Sequence, residues 1–290
     1  DNPHVPWTKI EGYDPNAVDL PPFLVDTDVT RRVRAEYYTD VTDMDKTLGE
    51  CLKSMKKYGY DQTAFFLYTT DNGPQWPHGK WNLYDQGIRV PMLVRWPGHV
   101  KPGTTDALLP LVDVLPTLLD LTGGKIPAGL DGRRYLPLLK GQRAVHRDTI
   151  YTTYTADTRY GAFNYYPIRS LRTRKYKYIL NLEPERTYTT HITNANPEDG
   201  RDYWLTWLEK AKTDPKAAHL VGMYQHRPAE ELYDLEADPY ELTNLAADPA
   251  NRSTVVSFRT AMETWLEEQN DQDGLTRFFF NVKHKAKTSD

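Results

Sequence analysis

The chain has 290 residues, 39% hydrophobic and 26% charged, with a formal net charge of -4. That is a globular composition, long enough for one large domain or a domain plus a subdomain. The charge is spread along the chain, which gives no electrostatic case for nucleic acid or an anionic membrane. No apolar stretch approaches the roughly 20 residues of a membrane-spanning helix. Cys51 is the only cysteine, so an intrachain disulfide framework is excluded.

Residues 1–25 are proline-rich and irregular, as in "NPHVPW" and "LPPF". Proline lacks a backbone donor and restricts its predecessor, which argues against helix there. Asp26, Thr27 or Asp28 then offers a helix cap. Val33, Tyr37, Val41, Met44, Leu48, Leu52 and Met55 recur every three or four residues, which predicts a long amphipathic helix ending near Gly59. Cys51 falls inside that pattern and reads as a small core residue. Asp40, Asp43 and Asp45 read as helix surface.

The run "TAFFLYTT" (63–70) predicts a short buried strand, and "VPMLVRWP" (90–97) a second. "LVDVLPTLLDLTG" (111–123) predicts a helix with Pro116 near its first turn and Gly123 or Gly124 as its stop. Strands alternating with helices imply an α/β fold with a mainly parallel sheet. After about residue 145 the pattern changes. "DTIYTTYT" (148–155) and "YPIRSLRTRKYKYILNL" (166–182) alternate polar and apolar residues, the second as a hairpin turning near Arg172–Lys175 with solvated charges. "EELYDLEADPYELTNLA" (230–246) reads as a short strand followed by turns, and residues 251–268 as a final amphipathic helix. A small antiparallel sheet with a terminal helix is the simplest packing for this part.

The chemistry concentrates in "TTDNGPQWPHGKW", residues 69–81. In an open α/β sheet, ligands sit beyond the carboxyl ends of strands, and Asp71 and Asn72 directly follow one. A carboxylate and an amide carbonyl are hard oxygen donors suited to Ca²⁺ or Mg²⁺. Two donors do not complete a site, since calcium takes about six to eight oxygens. Lys80 is a point charge able to hold a tetrahedral anion beside a metal. His78 could hold the same anion or titrate near neutrality. The alternative is plain: Asp-Asn-Gly is a strong turn sequence, and a turn needs no metal. His4, between prolines in a stiff extended backbone, is either a fixed catalytic donor or a surface histidine.

The segment "TTDNGPQWPHGKWNLYDQGIRVPMLVRWPG" resembles the sulfatase family, within the alkaline-phosphatase-like superfamily. "NPHVPW", "YYTDVTDMDKTLGECL", "VDVLPTLLDLTG", "LDGRRYLPLLKG" and "ELYDLEADPYELTNLA" resemble further segments of the family, in its order. "IRSLRTRKYKYILNL" and "ELYDLEADPYELTNLAADP" are similar to the heparan N-sulfatase (sulfamidase) branch. The resemblance implies an alkaline-phosphatase-like α/β fold, incomplete here. Residues 1–145 would be the C-terminal half of the catalytic domain and 146–290 a C-terminal α+β subdomain.

Carried over residue by residue, Asp71 and Asn72 resemble two metal ligands, the metal usually being calcium, with Mg²⁺ the alternative. Lys80 resembles the lysine on the sulfate group, and His4 the histidine near the leaving oxygen or nitrogen. His78 is expected just behind these contacts, with Arg89 and Pro91 as structural parts of the motif. The family's nucleophile is a formylglycine made in a C/S-x-P-x-R pattern, which these 290 residues do not contain. An N-terminal sulfatase half carrying the nucleophile is therefore expected as a partner or covalent continuation. The implied activity is hydrolysis of sulfate esters or sulfamates on a sulfated glycan, in the periplasm, outside the cell or in lysosomes. The alternatives are a phosphonate or phosphate ester hydrolase of the same superfamily, or a non-catalytic glycan-binding fragment.

Overall fold

The computed structural model describes residues 9–157, 164–194, 201–272 and 274. After the irregular entry comes helix α1, Asp28–Lys57. Thr27 caps it from an extended backbone, its side-chain oxygen accepting the Thr30 N–H at 3.1 Å. Gly59, at a φ of 76°, turns the chain away at the other end. The apolar stripe of α1 is used unevenly. Val33 and Ala35 are buried, but Leu52 and the following Tyr58 and Tyr60 are exposed. Cys51 is exposed as well, which corrects the expected core position: the main core reaches only the first half of α1.

Strands β1 (Phe66–Thr69) and β2 (Met92–Arg95) follow. They pair antiparallel, with Phe66 opposite Arg95 and Thr69 opposite Met92. The fold class is α/β, but the parallel order expected from alternation is not made by these two strands. Their connection is a loop with one helical turn, α2 (Asp85–Ile88), that brings the chain back at the same end. A parallel pair needs a crossover along the sheet. Neither strand is fully buried, and Leu93 is exposed. A tight turn, Leu111–Asp113, leads into α3 (Val114–Leu121), and α4 (Leu136–Leu139) packs beside it. The buried Asp113 ties this region together, accepting from Arg133 N at 2.7 Å and from Arg147 Nε at 2.8 Å.

Strands β3 (Ile150–Asp157), β4 (Asn164–Arg172), β5 (Tyr176–Asn181) and β6 (Glu230–Asp234) form one antiparallel sheet in chain order. The β4–β5 hairpin turns where the sequence indicated. Between β5 and β6 run α5 (His191–Asn194), α6 (Arg201–Lys210) and α7 (Pro215–Gln225). α8, Arg252–Glu268, is the terminal helix that the periodicity predicts.

This sheet is covered on both faces. Leu171, Tyr178, Leu180 and Leu232 pack under α8, against Val255, Met262 and Leu266. Tyr166, Ile168, Ile179 and Tyr233 share the main core with Phe23, Val33, Trp76, Tyr84 and the tryptophans of α6. Strands with two buried faces lose the polar alternation of a half-solvated hairpin. The basic run "RSLRTRKYKY" is corrected on this ground. Arg169 and Lys177 are buried and Arg172 nearly so. Charges taken out of water require partners, and Arg169 finds Asp271 at 2.7 Å while Arg172 and Lys177 both find Asp85.

Candidate active site

The loop from Thr70 to Val90 is held by its own backbone and by the sheet behind it. Gly73 N–H donates to Gly87 O at 2.9 Å, and Lys80 N–H to Pro74 O at 2.8 Å. A Cβ on Gly73 or Gly87 would run into backbone carbonyls of this same loop, so only glycine permits that approach. His78 and Trp81, on either side of Lys80, have left-handed backbones at φ of 72° and 67°. Non-glycine residues take that conformation only where their surroundings enforce it.

The enforcement comes from distant elements. Tyr203 of α6 donates to Gln75 O at 3.1 Å, and Tyr188 to Trp81 O at 2.8 Å. Lys177 of β5 donates to Leu83 O at 3.0 Å. Glu241 accepts the Asp85 N–H at 2.5 Å. The His78 ring is sandwiched between Tyr84 at 4.2 Å and Phe23 at 5.5 Å. Burial, assisted by the nearby Arg227, pushes its imidazole down to about 3. His78 is therefore a neutral packing group at ordinary pH, and it lines neither cleft described below. That removes the expectation that it titrates near neutrality.

Two adjoining clefts, of about 1740 and 410 Å³, share Asp71, Asn72, Lys80 and Arg89 in their walls. The sequence-predicted donors and cation are thus brought together. Asp71 is exposed, and Asn72 and Lys80 are half-buried. Asp71 Oδ1 accepts the Asn72 N–H at 2.9 Å. Asn72 Nδ2 donates to Gly73 O at 2.8 Å, which leaves Oδ1 as its acceptor. These are hard oxygens and fit a hard divalent cation in kind. They do not fit it in number: among the described residues no group of three or more His, Cys, Asp or Glu could hold a metal. Lys80 Nζ lies 5.3 Å from the Trp81 ring centroid, a cation–π contact that steadies its head. Arg89, expected as structural, is exposed and adds a second cation to both clefts. His4 lies outside the described residues.

A buried ionic cluster under the loop escaped the sequence reading. Asp85, Lys177 and Glu241 are each at most 5% exposed. Lys177 Nζ contacts the Asp85 carboxylate and lies 3.3 Å from Glu241 Oε1. A second buried carboxylate, Glu231, accepts from Tyr84 at 2.7 Å and from Asn181 at 2.6 Å. The only local signal was a lysine and an arginine in a hairpin whose two faces are both covered.

The chain is similar to known sulfatases. A sulfatase family model matches residues 1–124, and a model of the N-sulphoglucosamine sulphohydrolase C-terminal region matches residues 75–204. An ulvan-active sulfatase of Formosa agariphila is 31% identical over 93% of this chain and 51% of its own length. Human N-sulphoglucosamine sulphohydrolase is 28% identical over 91% of this chain and 53% of its own. A phosphonate monoester hydrolase from Silicibacter pomeroyi superposes with a TM-score of 0.63 at 19% identity, over 94% of this chain and 55% of that one. At that identity the likeness carries the fold alone, which is alkaline-phosphatase-like. The chain spans about half the length of the curated relatives it matches. The first model spans the whole Asp71–Lys80 loop and the second begins inside it, so between them the chain is similar to sulfatases over residues 1–204.

Proposed function

We propose that this chain supplies part of the metal and sulfate site of an enzyme that hydrolyses sulfate esters or sulfamates on a sulfated glycan. The observation that carries the reading is that Asp71, Asn72 and Lys80 line the same clefts from one immobilised loop. Asp71 and Asn72 would hold a divalent cation, calcium by the resemblance and Mg²⁺ otherwise. When bound, that cation supplies positive charge against the sulfate oxygens. Lys80 and the neighbouring Arg89 add charge from this chain. Sulfuryl transfer, like phosphoryl transfer, gains mainly from positioning and from neutralising equatorial oxygens. His4 would protonate the departing oxygen or nitrogen.

The formylglycine nucleophile and the remaining metal ligands would come from an N-terminal sulfatase half, as a continuation or a partner. The exposed Leu52, Tyr58, Tyr60, Leu93, Leu115 and Leu118 are apolar side chains that such a neighbour would cover. In this reading residues 1–145 belong to the catalytic domain and 146–290 to the subdomain, the two sharing one core. Likeness to N-sulphoglucosamine sulphohydrolase supports an N-sulfated amino sugar as substrate, and likeness to ulvan-active sulfatases supports a sulfated polysaccharide. An exported or lysosomal setting goes with such substrates. Among the described residues no helix is long and apolar enough to cross a membrane.

The second reading, a phosphonate ester hydrolase, rests on the shared fold. Anion release by the intact protein separates the two. Inorganic sulfate from N-sulfoglucosamine or a sulfated oligosaccharide supports the first reading. Hydrolysis of phenyl phosphonate esters without sulfate release supports the second.

A further inference from the structure

Glu241 lies in the turn after β6, far from Lys80 in sequence, and is fully buried. It touches the Lys80 loop directly. Its Oε2 accepts the backbone N–H of Asp85 at 2.5 Å. The buried His78 ring, whose Nε2 has no partner among the described residues, stands at the other end of the same loop. Asp85 and His78 bracket Lys80 in the chain. Glu241 itself has a left-handed backbone, at a φ of 56°. Such a conformation is strained for a residue other than glycine and persists where neighbours over-determine it. Here strained residues sit in both segments: Glu241 in the turn, His78 and Trp81 beside Lys80.

The Glu241 carboxylate is held in turn. Lys177 of β5 lies 3.3 Å from Oε1 and also reaches Leu83 O on the loop. Asp85 faces it from α2, with Arg172 of β4 on the far side of Asp85. Tyr84 and Tyr233 complete its charged and titratable surroundings. A short polar tether of this kind fixes a loop only if both ends are rigid, and β5 and β6 are paired strands with both faces covered.

We propose that Glu241 is a positioning residue: by gripping the Asp85 N–H, it sets where the left-handed segment from His78 to Trp81, and with it Lys80, stands in the cleft. The role ties the anion-binding loop to the C-terminal sheet. Its catalytic consequence rests on the sulfatase reading above, whereas the tether itself does not.

The test uses the intact protein with Glu241→Gly, which suits the left-handed backbone but removes the carboxylate, and Glu241→Gln, which keeps an acceptor oxygen. Amide hydrogen exchange is followed by mass spectrometry over residues 78–88 and over residues 164–181. Hydrolysis of 4-nitrophenyl sulfate is measured in parallel. Exchange over 78–88 should rise about tenfold or more in Glu241→Gly, as for one lost buried hydrogen bond, with 164–181 unchanged. kcat should fall about tenfold or more while KM changes less than about threefold, because orientation rather than binding is lost. Glu241→Gln should recover most of both. Unchanged exchange over 78–88, an equal rise over 164–181, or a loosened loop with full kcat would each overturn the proposal. If the wild-type protein releases no sulfate, the sulfatase reading fails, and the exchange result alone decides on the tether.

Discussion

Arg172 and Lys177 stand directly opposite each other on neighbouring strands, and Asp85 lies against both. Like charges across an antiparallel pair repel. Here the repulsion is offset by one carboxylate, which Arg172 grips through both oxygens at 2.9 and 2.8 Å. Burial works against the ionised Asp85, but Lys177 and Arg172 outweigh it and hold the carboxyl below its usual range. Removing it leaves Arg172 without that partner and Lys177 with Glu241 as its remaining carboxylate. Asp85→Ala should cost about 3–5 kcal/mol by denaturant unfolding, the range for breaking a buried pair from one side. Lys177→Met should cost less, since Arg172 still satisfies Asp85 and Glu241, already raised by burial, can take up a proton in place of the lost cation. Equal losses for the two variants would contradict this arrangement.

Lys80→Ala is expected to separate turnover from stability. Its head rests on the Trp81 ring at the edge of the clefts, so folding should lose no more than about 1 kcal/mol. If Lys80 meets the sulfate, kcat/KM should fall about a hundredfold or more, as for other charge stabilisers in a site. Thermal melting and sulfate release on the same preparation decide the matter. A large drop in Tm with ordinary turnover would make Lys80 structural.

Glu241 gives a pH signature. Burial, only partly countered by Lys177, raises its carboxyl from 4.5 to about 7. A raised folded-state value means that the folded protein binds this proton more tightly than the unfolded chain. The contribution to stability is therefore complete below about pH 4.5 and is lost as pH rises through about 7. Glu241→Gln removes the titration. Relative to wild type, the variant should gain stability steadily between pH 5 and pH 8, by on the order of 2–3 kcal/mol at most. Melting curves across that window check it, and a constant offset between the two proteins would contradict it.

The close backbone approach at Gly87 makes a third structural prediction. An added methyl would meet Gly79 O and Asn82 O, which are backbone and cannot swing aside. Gly87→Ala should cost about 1–3 kcal/mol and loosen the loop that carries Lys80. An unfolding midpoint equal to wild type would show that the loop can reshape around the methyl.

Local patterns made much of this legible from the amino acids. The Thr27 cap and three-four spacing placed α1, the alternation placed the β4–β5 hairpin, and the spacing of Val255, Met262 and Leu266 placed α8. Asp71, Asn72 and Lys80 were readable because they fall within one ten-residue span and follow a strand. α6 and α7 were missed, although Asp214 and Pro215 form an ordinary cap and first turn. Their tryptophans and tyrosines read equally well as loop or interface residues. Cys51 was misplaced because periodicity says which residues share a helix face, not whether anything covers that face. The Asp85–Lys177–Glu241 cluster was invisible for a different reason. Its members are separated by 92 and 156 positions, and only sheet register brings them together.

The proposal at the centre of this reading is that Asp71 and Asn72 would hold a divalent cation beside Lys80. Calorimetric titration of calcium into the metal-stripped intact protein tests it most directly, with Asp71→Ala and Lys80→Ala alongside. The account predicts that wild type and Lys80→Ala bind one calcium with similar affinity, and that Asp71→Ala loses about tenfold or more, as expected for a missing charged ligand. Undiminished calcium binding by Asp71→Ala would contradict it and return "DNG" to the status of an ordinary turn.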